Sequence, residues 1–153
     1  MAAPAVRTPD VNVLVYATNL DAPQCSAAAR WIEDAFREPS GIAFTWQALV
    51  GFLRLSTQSR IVPKALPVEI ALRVVDEWLA HPRARIIGAT DRHAAVLGRL
   101  LVGAGRGGNL TSDAHLAAIA IEHGSVLGTF DRDFERFAGL RFEHLAADAV
   151  HEN

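Results

Sequence analysis

Residues 107–134 read Gly-Gly-Asn-Leu-Thr-Ser-Asp113-Ala-His-Leu-Ala-Ala-Ile-Ala-Ile-Glu-His-Gly-Ser-Val-Leu-Gly-Thr129-Phe-Asp131-Arg-Asp133-Phe. An apolar helix opens at Asp113, Gly124 breaks it, a strand follows over Ser125–Thr129, and Asp131 stands just past the strand's end. In an open α/β sheet the carboxyl ends of the strands and the starts of the next helices share one edge, where ligands bind. Asp10, after a short strand candidate near the N-terminus, brings a third acid to that edge. Singly, Asp113 reads as a helix N-cap and Asp10 and Asp131 as turn acids. Together they matter more, because clustered carboxylates repel unless a cation neutralises them. Mg²⁺ or Mn²⁺ suits such a site, taking oxygen ligands, few protein donors and several waters.

Asp133 is a candidate fourth acid, with capping of a short helix over residues 133–137 as the alternative. Asn12 and Thr129 are short polar residues beside two of the acids. They are candidates to orient the acids or a metal-bound water, and local backbone bonding is the competing role.

Outward from this stretch, short strands alternate with helical segments, the pattern of a parallel sheet covered on both faces. The apolar run Val11–Ala17 reads equally as strand or helix. Pro23 opens an amphipathic helix reaching Phe36, Ile42–Phe44 is a short strand, and Thr45 caps a helix from Trp46 to about Thr57. Pro67 begins another helix, Arg85–Gly88 reads as a strand, and Thr90 or Asp91 caps a helix reaching Leu101 that the 103–108 glycine run ends. Leu140–His144 is the last strand. No repeat or long linker divides the 153 residues, so residues 1–153 read as one domain.

Composition narrows the classes. Half the chain is hydrophobic and 21% charged, which excludes wholesale disorder. Cys25 is the only cysteine, which rules out an intrachain disulfide and a thiolate zinc site and suggests a packing role in a reducing compartment. Arg7, Pro9 and Asp10 interrupt any signal-peptide core, and no apolar run spans a bilayer, so a cytoplasmic protein without a membrane partner is expected. A net charge of −2 draws no nucleic acid by itself. Lys64 is the sole lysine; the arginines, which bind phosphate bidentately, also fit a codon bias.

Other motifs fail their context. Gly103-Ala-Gly-Arg-Gly-Gly108 matches a dinucleotide fingerprint but follows a helix, not a strand. His115 and His123 share the helix of Asp113 without metalloprotease spacing and read as solvated or capping side chains. A phosphoacceptor domain wants a lysine after a late strand, where Lys64 does not stand.

Three segments, Pro9-Asp10-Val-Asn12-Val-Leu-Val-Tyr-Ala, Gly51-Phe-Leu-Arg54-Leu-Ser-Thr57, and Thr111-Ser-Asp113-Ala-His-Leu-Ala-Ala with Thr129-Phe-Asp131-Arg-Asp133-Phe, resemble PIN-domain proteins, and within them the VapC toxins of bacterial toxin–antitoxin pairs of the mycobacterial kind. The resemblance runs in order over nearly the whole chain. It implies a three-layer α/β/α sandwich around a short parallel sheet, a Mg²⁺- or Mn²⁺-dependent endoribonuclease, a homodimer, and a small antitoxin that occludes the site. Asp10, Asp113 and Asp131 match the family's acids, with Asp133 able to supplement them. Arg54, Arg106, Arg132 and Arg136 are candidate RNA phosphate contacts, with solvated surface as the alternative. The chain departs from the family at Gly51, where a glutamate is usual, which opens the alternative of a catalytically weakened PIN-fold module acting through antitoxin or RNA binding.

Overall fold

The computed structural model describes residues 4–149. Five strands form one parallel sheet: β1 (Arg7–Pro9), β2 (Ile42–Phe44), β3 (Ala84–Ile86), β4 (Val126–Thr129) and β5 (Phe142–His144). Their order is β3-β2-β1-β4-β5, so the chain builds one half outward from β1, then crosses back to add β4 and β5 on its other side. The β1/β4 boundary is therefore the topological switch point, the place where ligands bind in such sheets. Parallel register sets Pro9 beside Gly128, so both chains leave the sheet at the same edge.

Six helices flank the sheet among the described residues: α1 (Val11–Thr18), α2 (Cys25–Arg37), α3 (Trp46–Ser56), α4 (Val68–Ala80), α5 (His93–Ala104) and α6 (Leu110–Glu122). A 3₁₀ turn covers Arg132–Arg136. The two faces follow from strand alternation. Ile42 and Phe44 point into a core shared with Leu14, Ile32, Leu49 and Phe52 from α1–α3. Ala43 points the other way, toward Val6, Ile87 and Ile119. On that second face Leu100, Leu116, Leu127 and Phe134 join α5, α6, β4 and the 3₁₀ turn. The result is the expected α/β/α sandwich. Fully burying each such side chain contributes roughly 1.5–3 kcal/mol, so both faces are needed.

Several boundaries differ from the sequence reading. The ambiguous run 11–17 is helical, because the Asp10 carboxylate accepts from the Val11 N–H and turns the chain directly out of β1. The second helix begins at Cys25, two residues after Pro23. β3 ends at Ile86, two residues short of Gly88, and α5 starts at His93 with neither Thr90 nor Asp91 as its N-cap. Its end is at Gly105, whose φ of 76° suits glycine. α6 starts three residues before Asp113, since backbone bonds from Leu110 to Gly107 and from Thr111 to Gly108 already wind its first turn. Asp113 therefore sits inside that turn and is not its cap. Asp131, not Asp133, caps the 3₁₀ turn, accepting from the Asp133 N–H at 2.8 Å.

Gly128 in β4 is required by a close approach. A Cβ there would lie 2.3 Å from the Trp31 indole, so only glycine lets the ring approach the strand this closely. This keeps α2 tight against the sheet just below the site edge.

Candidate active site

Asp10 leaves β1 at the switch point and is only 7% exposed. One carboxylate oxygen accepts from the Val11 N–H at 2.7 Å, the other from the Thr129 hydroxyl at 2.8 Å. Thr129, the last residue of β4, is the hub of this edge. Its Oγ1 also accepts from the Asp131 N–H at 3.0 Å and the Asn12 amide at 3.4 Å. A hydroxyl has one proton to donate. Both other partners are N–H donors, so that proton goes to Asp10. Asn12 in turn accepts from the Phe130 N–H at 3.2 Å, tying α1 to the turn after β4. Asn12 and Thr129 thus hold Asp10 and Asp131 in place across the two central strands, a role wider than local backbone bonding.

The acids feel one another. Burial pushes the Asp10 pKa upward, hydrogen bonds from Thr129 and Val11 pull it back, and the charge of Asp131 adds to the rise. Asp113 is pushed up to about 6, first by burial and then by the charges of Asp10, Asp131 and Asp133. No lysine or arginine among the described residues pairs with Asp10, Asp113 or Asp131; Asp133 alone has an ionic partner, Arg136 at 3.5 Å.

Asp113 thus senses the charges of Asp10, Asp131 and Asp133, and Asp10, Asp113 and Asp131 have no counter-charge. Among the described residues no three His, Cys, Asp or Glu side chains lie grouped so that they could hold one metal ion. That arrangement is compatible with a hard cation such as Mg²⁺ only where one or two carboxylates hold it and waters complete its shell. It does not fit a closed structural site.

Two clefts flank Asp113. One, of about 300 Å³, lies between the glycine-rich loop and the 3₁₀ turn, where Arg106 and Asn109 face Asp133. The other, of about 610 Å³, runs between α3 and α6 and carries Asp10 and Asp113 at one side and Arg54 at the other. Of the four arginines singled out, Arg54 and Arg106 line these clefts, Arg136 is engaged with Asp133, and Arg132 is exposed on the 3₁₀ turn.

Gly51 explains its own lack of a side chain. A Cβ at that position would meet the Val11 Cγ2 at 2.8 Å. Val is stiff at χ1 and yields little, so α3 packs closely on α1 and the cleft floor carries no acid there.

One polar cluster was not anticipated. Glu122, at the end of α6 and 8% exposed, accepts from the Thr90 N–H (2.9 Å) and hydroxyl (2.6 Å) and bonds His93 Nδ1 at 2.6 Å. His93 Nε2 meets His115 Nδ1 at 2.8 Å. His115 is thus a half-buried partner in this chain, while exposed His123 bonds the Gly88 carbonyl at 2.7 Å. A signal existed: His115 and Glu122 lie seven apart on an apolar helix, hence on one face.

Comparison with known proteins agrees with this architecture. A family model described as PIN domain matches residues 8–140. Over 138 residues the chain is 41% identical to Ribonuclease VapC37 of Mycobacterium tuberculosis, covering 90% of this chain and 96% of that protein. Ribonuclease VapC33 of the same species is 37% identical over 88% of this chain and 94% of its own length. Among solved structures, VapBC2 from Rickettsia felis bound to a promoter DNA fragment aligns with a TM-score of 0.68 at 22% identity, over 92% of this chain and 99% of that one. Mycobacterium tuberculosis VapC20, described as a sarcin-ricin loop cleaving toxin, aligns at 0.63 and 17% identity, over 88% and 98%.

Proposed function

The chain belongs to the PIN-domain family, and on that premise we propose that it is a toxin of the VapC kind, a metal-dependent endoribonuclease acting at the β1/β4 edge. The observation that carries the reading is the set Asp10, Asp113 and Asp131, mutually repelling and without a cationic side chain. On this reading one or two of Asp10, Asp113 and Asp131 would ligate Mg²⁺ or Mn²⁺ directly, with the remaining acids and Asp133 acting through its waters. The bound ion supplies a water of lowered pKa and neutralises charge developing on the phosphate.

The chain's own contributions are positional. Thr129 fixes the Asp10 carboxylate with its single proton and, through its lone pairs, the backbone of Asp131. Asp113, pushed up to about 6, is ionised at neutral pH, where it can take a cation, and protonated in mild acid. Water as the nucleophile breaks the P–O3′ bond and leaves a 3′-hydroxyl and a 5′-phosphate. Single-stranded or loop RNA suits open clefts of this size better than a duplex, whose grooves they cannot enter.

The relatives named VapC, and the structures described as VapBC complexes, support a small antitoxin as partner. A homodimer and a cytoplasmic site of action are parts of the same proposal. Among the described residues no helix is long and apolar enough to cross a membrane. Gly51, sterically closed by Val11, favours a second reading in which the fold binds RNA or antitoxin and cleaves weakly. Cleavage of end-labelled RNA with Mn²⁺, with and without EDTA, separates the two. Metal-dependent cutting that Asp10→Asn and Asp113→Asn each reduce at least 100-fold supports hydrolysis; full activity in either variant removes the site.

A further inference from the structure

α3 carries two large apolar side chains that do not enter the core. Trp46 is 54% exposed and Val50 57% exposed, whereas Leu49 and Phe52 on the other side of the helix are fully buried. Trp46, Val50 and Arg54 follow one another at i, i+4 and i+8 and so form one stripe along the helix. That stripe lines the same cleft as Asp10 and Asp113. One hydrogen bond sets its distance from the acids: the Gln47 amide donates to the Ser112 carbonyl at 3.1 Å, joining the neighbours of Trp46 and Asp113. Gly51 completes the arrangement, because its bare backbone lets α3 lie on Val11 and keeps the cleft floor open beside the indole.

An exposed indole, an aliphatic neighbour and a guanidinium in a row suit an unstacked base followed by a phosphate. Aromatic side chains stack bases of any sequence, and arginine takes a phosphate bidentately. Arg54 makes no ion pair with a carboxylate among the described residues, although two acids line the same cleft. Continuity with the acids, and a cation at the far end, favour a nucleic-acid strand over a protein segment as occupant.

Resting on the hydrolytic reading above, we propose that the Trp46–Val50–Arg54 stripe seats the nucleotide next to the scissile phosphate, its base stacked on the Trp46 indole and its outer phosphate on Arg54. The stripe is then a substrate-positioning element, and Trp46 acts on binding more than on the chemical step.

The test uses the full chain and a short oligouridylate in EDTA, where no cutting occurs. Trp46 is the most exposed of the three tryptophans, Trp31 being 5% exposed and Trp78 half-buried. Oligouridylate should therefore quench the intrinsic fluorescence of the wild type, and Trp46→Ala should abolish the quench. Trp46→Ala and Trp46→Leu should weaken binding about tenfold, within the range for loss of one base stack, while Trp46→Tyr retains most of it. In metal-supplemented cleavage, Trp46→Ala should raise KM about tenfold with a smaller change in kcat. Val102→Ala, an exposed apolar position remote on α5, should change neither.

Wild-type affinity in Trp46→Ala, or equal binding by the Leu and Tyr variants, overturns the proposal. So does a Trp46→Ala protein that falls from dimer to monomer yet binds oligouridylate unchanged, since the stripe is then an interface between copies. The two readings fail separately. Quenching without any metal-dependent cleavage removes hydrolysis and leaves the subsite, whereas cleavage indifferent to Trp46 removes the subsite and leaves hydrolysis.

Discussion

Asp10 and Glu122 are both acids with less than a tenth of their surface exposed, and their pKa values move in opposite directions. Burial raises both. At Glu122 two hydrogen bonds from Thr90 and one from His93 outweigh it and bring the pKa below its ordinary value. At Asp10 two hydrogen bonds do not suffice, and the neighbouring Asp131 worsens the repulsion. A buried acid whose partners are complete ties elements together: Glu122 joins α6 to the start of α5. A buried acid left facing other acids is the arrangement for which we propose a cation. The contrast distinguishes a carboxylate whose partners are complete from one proposed to work at the site.

Glu122→Ala should sharpen it most on the stability side. The Thr90 N–H, Thr90 hydroxyl and His93 lose their acceptor together, at a cost of about 2–4 kcal/mol. Denaturant unfolding measures this loss, and cleavage per folded molecule should persist. The pH signs are opposite for the two regions. Glu122, with its folded pKa lowered, contributes stability that is present above 4.5 and lost as pH falls through its folded value. Asp113, raised from 3.8 to about 6, contributes stability that is complete below 3.8 and lost as pH rises through about 6.

Thr129→Val should come next in size. It strips Asp10 of a donor and leaves the Asp131 N–H and the Asn12 amide without their acceptor, costing about 1–3 kcal/mol. Unlike Glu122→Ala, it should also lower cleavage per folded molecule, because both acids lose their alignment. The smallest effect carries the most unusual sign. Asp113→Asn should raise the metal-free melting temperature at pH 7.5 by roughly 2–4 °C, the equivalent of about 1 kcal/mol for a chain of this length after solvent screening at a half-exposed site. The gain should vanish near pH 4, and calorimetry across that range reads it.

The acid edge was legible from sequence because Asp10 and Asp131 each directly follow a strand and Asp113 lies in the first turn of a helix, and in a parallel sheet such positions converge on one side. The layer order was legible from the alternation of strands and helices. The run 11–17 was not, since a short apolar stretch looks alike as strand or helix until the Asp10 cap turns the chain. The Glu122 cluster was hidden for a different reason. Its bonds span 32 residues to Thr90, 29 to His93 and 22 from His93 to His115, distances over which local pattern carries no information. The role of Thr129 as hub, donating its one proton to Asp10 and accepting from Asp131 and Asn12, likewise required the register of β1 against β4.

If a divalent cation completes the acid edge, as proposed, the metal-free protein should take up Mn²⁺ there. Titration of Mn²⁺ into the metal-free protein at pH 7.5, followed by the free-ion paramagnetic resonance signal, tests it directly. The wild type should bind Mn²⁺, Asp113→Asn should bind it at least tenfold more weakly, and Glu122→Gln should match the wild type. Equal affinity in wild type and Asp113→Asn, or no binding by the wild type at millimolar Mn²⁺, would contradict the account.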